Sequence, residues 1–454
     1  MFLWCAVMVV IKKLKLFFRF IVLDALFCKK RINILNKRAK LSHEDIADLQ
    51  NRLLLETLFT ATKKLNAYKD LKLPNNSSNI QAYISRHCRV ISKEDLLTKR
   101  SEYYPHGGKS SLFQIIGKSS GTTGTPLEVL RSYDSILWEN SFVKRHWQNV
   151  TGINKYRRAT LRGDQIGNSD KKPYWLFNKI ERQLILASRS LNNETCAGFV
   201  SVINKFNPDM LQAYPSTAFQ LAQYVKSNNL KINIPIVFTG SEMLYQYQRD
   251  VIEQTIGKVC DFYGMAERVA MATECRFKNL HVNTDYSYVE ILDDDDQSTD
   301  QEGYVVGTTL HNHCMPLIRY KLSDRTKWKK GQCECGSNYP MIEPIAGKFE
   351  DTLYDINKNP ISPSLITFAF KGVNQIEKSQ VAQTEVDKWV IRVVPAAKYQ
   401  AKDGEQIIDN LKELVSKNIN AEILLVKVIP RTKAGKFRWV INEMSKSVEE
   451  NVDE

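Results

Sequence analysis

The stretch Lys118-Ser-Ser-Gly-Thr-Thr-Gly-Thr-Pro126 decides the fold prediction for this chain. Eight of its nine residues are Ser, Thr, Gly or Pro, and it lies between a mostly apolar run at 112–116 and a segment that begins at Leu127. This pattern predicts a strand, a tight loop and a second strand. The glycines let the backbone turn its N–H groups inward, and the hydroxyls add side-chain donors. Such a loop is suited to the phosphates of a nucleotide, although a flexible surface turn would have the same composition.

Four later segments carry further short motifs. They are Asp261-Phe-Tyr-Gly-Met-Ala-Glu267, Tyr320-Lys-Leu-Ser-Asp324, Gly347-Lys-Phe-Glu-Asp351 and Arg431-Thr-Lys-Ala-Gly-Lys436. The loop does not fit the Walker pattern, which needs Gly-Lys-Ser/Thr at the start of a helix. In this order, over about 320 residues, the five segments resemble the motifs of adenylate-forming enzymes, the superfamily of acyl-CoA synthetases, adenylation domains and luciferase. The chain is most similar to the phenylacetate–CoA ligase branch, which includes the CapK-type proteins of capsule and surface-polysaccharide loci.

The resemblance implies an α/β fold with a large layered α/β N-terminal domain and a small mobile α+β C-terminal lid domain. The residue pattern agrees, because helical and strand-like segments alternate from the loop to about residue 260, as a layered α/β domain requires. A strand, an amphipathic helix and another strand are predicted between residues 389 and 428. We expect a basic apolar N-terminal extension over residues 1–41, the large domain over 42–346 and the lid over 347–454.

The resemblance also implies a reaction. A carboxylate would attack the α-phosphate of ATP to give an acyl-adenylate and pyrophosphate, and a nucleophile, commonly CoA, would then take the acyl group. Because the anionic acid and the polyanion repel each other, the site needs cationic and dipolar groups at the reacting phosphorus. The implied cofactors are ATP, Mg²⁺ and CoA, and the implied partner is a small-molecule carboxylic acid. An aromatic content of 10% permits an aryl acid without selecting one.

Each matching motif carries expected roles. The loop residues that would hold the β- and γ-phosphates are Ser119, Ser120, Gly121, Thr122, Thr123, Gly124 and Thr125. We expect Thr122 to be catalytic as well. The other two catalytic residues would be Glu267, which would bind Mg²⁺, and Lys436, whose ammonium would lie between the carboxylate and the α-phosphate. Asp324 would accept hydrogen bonds from both ribose hydroxyls.

A second group of residues is expected around the adenine and the activated carboxyl. From the aromatic motif these are Asp261, Phe262, Tyr263 and Gly264. A strand-like run from Ile236 ends in a polar bend at Ser241 and Glu242, and relatives pack such a bend on adenine, although an ordinary turn also explains it. Tyr214-Pro-Ser216 resembles the family's strand-to-helix turn beside the nucleotide.

Two residues depart from the family pattern. Ser323 replaces the usual glycine before Asp324, which is a mild change in a turn. Lys348, an expected nucleotide contact, stands where the family has arginine. Because lysine lacks the planar fork of arginine, the ribose contact or the hinge is expected to differ here.

A zinc site is predicted from thiols and an imidazole. Cys333 and Cys335 form a compact pair on a turn, and Cys275 and His281 lie upstream of them. Three thiolates and one imidazole suit tetrahedral structural zinc, and some phenylacetate-ligase-like proteins have a similar arrangement. Rival ligands are found in His-Asn-His-Cys, namely His311, His313 and Cys314. The alternative is that the four predicted ligands never meet.

The N-terminal region carries most of the net charge. Residues 1–40 hold ten basic side chains and one acidic side chain, a net of +9 out of +14 for the chain. Met1 to Ile11 is apolar but too short to span a bilayer, and Lys12 to Arg31 is typical of an amphipathic basic helix that lies on an anionic membrane or docks on the main domain. Nine cysteines without framework spacing favour a reducing compartment. We therefore expect a cytoplasmic protein, on the inner face of the membrane if the helix binds lipid, and no nucleic-acid partner.

Three functions follow from these motifs. The first is an ATP-dependent acid–CoA ligase. The second keeps the adenylation step but transfers the acyl group to an amine or hydroxyl of a sugar in surface-polysaccharide biosynthesis. The third is a non-catalytic nucleotide-binding assembly protein, which the basic N-terminus and Lys348 favour and which the loop and Lys436 oppose.

Overall fold

The computed structural model describes residues 24–74, 76, 78–105, 114–118, 127–162, 173–345, 353–358, 360–361, 366–370, 373, 375–429 and 439–444. Their fold is the predicted mixed α/β fold. The chain groups into two units. The first unit comprises residues 1–117, 129–155 and 262–345, and the second comprises 118–128, 156–261 and 346–454. The domain boundaries predicted at 41/42 and 346/347 stay predictions.

Six of the α-helices that the structure describes belong to the first unit. They are α1 (Asp24–Arg38), α2 (His43–Lys64), α3 (Ile80–His87), α4 (Lys93–Thr98), α5 (Arg100–Tyr103) and α6 (Tyr133–Thr151). Ser42 begins α2 by accepting a hydrogen bond from the Asp45 backbone N–H, which satisfies an amide that has no partner inside the helix. Ser92 and Asp95 form a reciprocal capping box at the start of α4.

Helix α1 is docked on α6. Its first half overlaps the predicted basic helix at 12–31, for which docking and membrane contact are the two alternatives. Its buried face consists of Cys28, Ile32 and Leu35, which pack near Leu137 and Phe142 of α6. The guanidinium of Arg31 pairs with Asp134, at the start of α6. The predicted membrane contact of the residues before α1 lies outside the described part of the chain. Among the described residues we find no helix with the length and apolar character of a membrane span.

The strands of the first unit form three sheets. A two-stranded sheet joins β1 (Gln114–Lys118) to β2 (Glu128–Ser132), on either side of the predicted phosphate loop. A five-stranded antiparallel sheet contains, in chain order, β9 (Phe262–Gly264), β10 (Met271–Glu274), β11 (Leu280–Val282), β15 (Trp328–Lys329) and β16 (Met341–Ile342). A three-stranded antiparallel sheet contains β12 (Ser287–Leu292), β13 (Gly303–Thr309) and β14 (Tyr320–Thr326). The predicted strands on both sides of the loop are thus present.

A buried polar network crosses the first unit. Tyr339 donates its hydroxyl proton to Asp285 at 2.9 Å, and Arg145 of α6 lies 3.8 Å from the same carboxylate. Arg145 also donates to the Asn283 side chain and to the Leu35 carbonyl of α1. Because the guanidinium and the carboxylate are both nearly inaccessible to solvent, they are held by each other and by these hydrogen bonds.

The second unit contains a six-stranded sheet in the order β4-β5-β3-β6-β7-β8. Its strands are β3 (Arg158–Leu161), β4 (Trp175–Asn178), β5 (Gln183–Leu186), β6 (Met210–Ala213), β7 (Ile236–Phe238) and β8 (Lys258–Cys260). All neighbours are parallel except the edge strand β4. Three helices accompany it: α7 (Asn193–Phe206), α8 (Pro215–Ser227) and α9 (Gln246–Thr255). Their buried apolar residues form one core with the sheet, as expected where helices cover a parallel sheet.

The C-terminal residues of the second unit form a separate small core. Strands β17 (Leu353–Tyr354) and β18 (Pro360–Ile361) pair with each other. A four-stranded sheet in the order β21-β20-β19-β22 contains β19 (Ile376–Gln383), β20 (Lys388–Pro395), β21 (Asn420–Leu425) and β22 (Val440–Asn442). Helix α10 (Ala401–Leu414) packs its buried face in the same apolar cluster, with Trp389 and Trp439 as its largest members. The predicted strand, helix and strand between 389 and 428 are all present.

Candidate functional site

Two of the predicted motifs are in direct contact. The Tyr263 hydroxyl, on β9, donates a hydrogen bond to Oδ2 of Asp324, on β14, at 2.9 Å across a sequence separation of 61 residues. Burial raises the pKa of the Tyr263 phenol, and the Asp324 carboxylate raises it further. The phenol therefore keeps its proton and remains a donor. The carboxylate predicted to bind ribose is thus held in place by the aromatic motif.

Glu267 lies on the turn after β9, with 8% of its surface exposed. Two guanidinium groups flank this turn. Arg131 of β2 donates to the carbonyl of Ala266, and Arg268 lies 3.8 Å from Glu139 of α6. Burial and the charge of Arg268 lower the pKa of Arg131 to about 10. A single anionic oxygen donor at such a turn fits Mg²⁺, which binds through one or two carboxylates and completes its shell with water and phosphate oxygens.

In the second unit, polar residues meet at the carboxyl ends of the parallel strands. Arg162, directly after β3, donates to the Ser241 hydroxyl at 2.7 Å, and its guanidinium lies 5.0 Å from the centre of the Tyr214 ring. After β7, Glu242 accepts a hydrogen bond from the backbone N–H of Ser216 at 3.2 Å. In open α/β sheets, ligands bind outside this edge of the sheet.

The bend after β7 is held in an uncommon conformation. Ser241 has φ +70°, a left-handed backbone conformation that residues other than glycine rarely adopt. The neighbouring Thr239 donates its hydroxyl proton to Asp261 at 2.6 Å, which ties this bend to the residue that follows β8. Strained residues that the surrounding contacts hold in place are concentrated at ligand sites. Ser241, Glu242 and Asp261 are thus each held by a hydrogen bond to another residue of this unit, and the predicted contact of the bend with adenine stays a prediction.

The four predicted zinc ligands come together. Ligand atoms of Cys275, His281, Cys333 and Cys335 all lie within 4.8 Å of one another. The Cys275 and Cys333 sulfurs are 3.6 Å apart, and the Cys335 sulfur is 3.3 Å from Nε2 of His281. Zinc–ligand bonds of about 2.3 Å to sulfur and about 2.0 Å to nitrogen imply ligand separations of roughly 3.5–3.8 Å in a tetrahedron. The donor set and its spacing thus fit zinc.

Neighbouring groups orient these ligands. Nδ1 of His281 donates to the Tyr339 carbonyl at 2.9 Å, which leaves Nε2 facing the thiols. Burial by itself would raise the pKa of the Cys333 thiol, but hydrogen bonds from the Cys335 backbone and the Asn279 side chain outweigh it and lower this pKa to about 6. Thiolate is the form that binds a metal.

The rival ligands do not join this group. Among the described residues, His311 does not belong to a group of metal-ligand candidates. Its Nε2 is hydrogen-bonded to the Asp285 carbonyl at 2.8 Å, and its ring stacks on Trp138. Burial lowers the pKa of His311 to about 3. His313 bonds to the Leu310 carbonyl, and burial raises the pKa of the Cys314 thiol to about 11. These residues serve the packing of the first unit.

Several predicted site residues lie outside the described part of the chain. They are the loop residues Ser119, Ser120, Gly121, Thr122, Thr123, Gly124 and Thr125, together with Lys348 and Lys436. Conversely, no sequence motif pointed to Arg131, Arg162 or Arg268. Arg162 had a usable signal, because it directly follows a strand of a parallel sheet. Arg131 and Arg268 had none, since their role depends on contacts between distant segments.

The chain has the fold of solved adenylate-forming CoA ligases, as predicted. The solved structure of 2-hydroxyisobutyryl-CoA ligase, in complex with 2-HIB-AMP and CoA, superposes with a TM-score of 0.59 at 18% identity, over 92% of this chain and 94% of that chain.

Within the class, the predicted resemblance to the CapK and phenylacetate–CoA ligase branch is confirmed. Residues 353–443 match the CapK C-terminal domain family. Protein CapK of Staphylococcus aureus is 25% identical over 420 residues, which cover 88% of this chain and 90% of that protein. Phenylacetate-coenzyme A ligase of Pseudomonas putida is 25% identical over 446 residues, with the same shares of the two chains.

Proposed function

We propose that this protein uses ATP and Mg²⁺ to convert a carboxylic acid to its acyl-adenylate and then transfers the acyl group to CoA. The hydrogen bond between Tyr263 and Asp324 carries this proposal, because it brings two of the predicted nucleotide-binding motifs together across 61 residues of sequence. The similarity to phenylacetate-coenzyme A ligase over most of both chains supports CoA as the acceptor.

The proposed roles follow from the chemistry of each group. Asp324 would accept the ribose hydroxyls, with Tyr263 fixing the carboxylate. Glu267 would hold Mg²⁺, which supplies positive charge to the phosphate oxygens. Lys436 would add an ammonium where the acid carboxylate meets the α-phosphate, and so reduce the repulsion between two anions. The loop residues 119–125 would bind the pyrophosphate that leaves.

The test is pyrophosphate release with ATP, Mg²⁺ and a panel of aryl, acyl and sugar acids, with and without CoA. We expect release that requires one acid class and falls by at least two orders of magnitude in Lys436→Ala, since a preorganised charge at the reacting centre contributes about that much. Thioester formation with CoA, detected by mass, would complete the reaction. If nucleotide binds but no acid in the panel is activated, the non-catalytic alternative gains over this proposal.

A second candidate shares the first step and differs in the acceptor. The match of residues 353–443 to the CapK C-terminal domain favours it, together with the similarity to protein CapK over 88% of this chain. In this case the adenylate would pass to an amine or hydroxyl of a sugar. Acid-dependent pyrophosphate release without thioester formation, followed by acylation of an amino sugar, would distinguish this candidate from the CoA ligase.

The Cys275, His281, Cys333 and Cys335 group is proposed to hold a structural zinc ion. All four positions of a tetrahedron are filled by protein ligands, so the metal would stabilise the β10–β11 and β15–β16 region and leave no position for a substrate.

The exposed face of α1 is proposed to contact an anionic membrane. Because the apolar face of α1 is already packed on α6, the charged side chains that remain exposed are basic: Lys29, Lys30 and Lys37, followed by Lys40. Each lysine near an anionic bilayer contributes about 1 kcal/mol. Full-length protein should sediment with vesicles that contain phosphatidylglycerol and not with pure phosphatidylcholine. Charge reversal of these lysines should abolish binding, whereas reversal of the exposed Lys205, Lys226 and Lys258 should not.

A further inference from the structure

We propose that Arg131 and Arg268 are positioning residues that hold the Glu267 turn in the geometry needed for Mg²⁺, an inference that rests on the proposed adenylation function. The two arginines fix the two sides of the Glu267 turn in different ways. Arg131 donates to the carbonyl of Ala266, directly before it, and Arg268 directly follows it. Glu267 itself is buried and has little freedom once both neighbours are fixed.

Arg131 reaches this turn from the hairpin that carries the predicted phosphate loop. It lies on β2, and its guanidinium packs against the backbone of Gly117 on β1, where an added Cβ would collide with it. Its Nε is buried and has no hydrogen-bond partner among the described residues. A buried donor without a partner is costly, so simple stabilisation is a poor reason for an arginine here. The contact links the strand that follows the loop to the turn that carries Glu267.

Arg268 holds the other side of the turn to α6. Its Nε is 3.8 Å from a carboxylate oxygen of Glu139, and its Nη1 donates to the Ser135 hydroxyl at 3.4 Å. Glu139 is in turn fixed by a hydrogen bond from the Tyr286 hydroxyl. Arg268 has φ +61°, so its backbone is in the left-handed region that arginine rarely adopts. The side-chain contacts maintain this strained conformation directly after the carboxylate.

These contacts explain how one carboxylate can be sufficient. A Mg²⁺ ion held by a single protein ligand depends on the accurate placement of that ligand, because the remaining positions are taken by water and phosphate oxygens. Groups that orient a metal ligand typically change metal affinity by about 10–100-fold when they are removed. The two arginines are repelled by a cation and cannot bind it themselves, so their effect must pass through Glu267.

The first experiment measures metal binding without catalysis. Mn²⁺ binding to the full chain with α,β-methylene-ATP, a nucleotide that cannot release pyrophosphate, is followed by electron paramagnetic resonance. We expect Arg131→Met to weaken Mn²⁺ binding by about 10-fold or more, and Arg131→Lys to recover part of it. The matched control is Arg157→Met, because Arg157 also donates to a backbone carbonyl, of Phe206, and pairs with a carboxylate, of Asp209, but before β3. It should bind Mn²⁺ like the wild type.

Two further variants separate positioning from folding. Gly117→Ala leaves the charge unchanged and displaces the guanidinium, so it should weaken Mn²⁺ binding in the same direction as Arg131→Met. Arg268→Gly removes the anchor and the backbone strain, whereas Arg268→Ala removes only the anchor. Both should weaken Mn²⁺ binding, and the glycine variant should melt at the higher temperature because glycine adopts φ +61° without strain.

Kinetics with the activated acid complete the test. In Arg131→Met the apparent KM for Mg²⁺ should rise by about 10-fold while kcat recovers at saturating Mg²⁺, a split that a general loss of stability would not produce. Wild-type Mn²⁺ affinity in the variants, with or without a lower melting temperature, would overturn the positioning role and leave the proposed function intact. Failure of the wild type itself to bind Mn²⁺ and nucleotide would instead overturn the proposed function and this inference with it.

Discussion

Replacing Arg319 with methionine should strongly destabilise the first unit, and the loss should depend on pH. The Arg319 guanidinium makes two hydrogen bonds of 3.1 Å to Glu290, and both side chains are less than a tenth exposed. It also donates to the carbonyls of Cys88 at 3.0 Å and Ser85 at 3.3 Å, which lie at the end of α3. Methionine fills much of the volume but leaves Glu290 buried without its partner. Breaking such a pair typically costs about 3–5 kcal/mol, so we expect about 4 kcal/mol at pH 8.

The sign of the pH dependence follows from Glu290. Burial raises the pKa of Glu290 above its usual 4.5, and Arg319 opposes that rise. In Arg319→Met the opposing charge is gone, so the pKa in the folded state rises further. A carboxyl with a raised folded-state pKa contributes stability below its unfolded pKa and loses it as the pH rises through the folded value. The difference in unfolding free energy between wild type and variant should therefore be largest at pH 8 and shrink towards pH 5.

The assay is urea unfolding at several pH values, followed by circular dichroism, with Glu290→Gln and the double variant completing a cycle. The double variant should be more stable than Arg319→Met at pH 8, because glutamine carries no charge to bury. Equal losses at pH 5 and pH 8, together with no rescue by Glu290→Gln, would refute the argument from buried charge and favour a simple packing defect.

Three other outcomes are expected. Tyr263→Phe should lower kcat/KM for ATP by about 10-fold, the effect of losing one hydrogen bond of about 1.4 kcal/mol to a charged group, with little change in melting temperature; an unchanged kcat/KM would separate Asp324 from nucleotide binding. Cys333→Ser should lose the zinc that elemental analysis finds in the wild type, whereas Cys314→Ser, outside the cluster, should retain it, and a metal-free wild type would contradict the site. Ser241→Gly should be tolerated and Ser241→Val should destabilise by at least about 1 kcal/mol in thermal unfolding, since valine is strained at φ +70°; similar melting temperatures for both would contradict that explanation.

Local sequence patterns predicted the helices and strands that depend only on residues close to one another in the chain. The strands on either side of residues 119–126 and the helix near 404–414 follow from turn composition and apolar spacing, which need no knowledge of distant residues. The motif order also predicted that Tyr263 and Asp324 lie close together, as their hydrogen bond confirms. The sequence proposed Cys275, His281, Cys333 and Cys335 as one ligand set but left a rival set open. The rival set at His311 was ruled out only by packing, because its contacts with Trp138 and the Asp285 carbonyl join distant segments.

The role of buried charges could not be predicted from the sequence. Arg131, Arg145 and Arg319 are each a single basic residue without a motif, and most such residues are solvated. Their partners lie from about 30 to about 190 residues away, so only the folded chain shows them to be paired. Lys348 and Lys436 lie outside the described part of the chain, so their predicted roles rest on their motifs.

Tyr339 has a consequence for how the first unit opens. Its carbonyl accepts from the metal-ligand candidate His281, while its hydroxyl donates to Asp285, which Arg145 connects to the Leu35 carbonyl of α1. One residue thus belongs to both the thiol cluster and the anchor of the N-terminal helix. We expect these regions to exchange their amide hydrogens as a single cooperative unit, so that removal of zinc from the cysteines, with Mg²⁺ kept in excess, would increase proteolysis near residue 35.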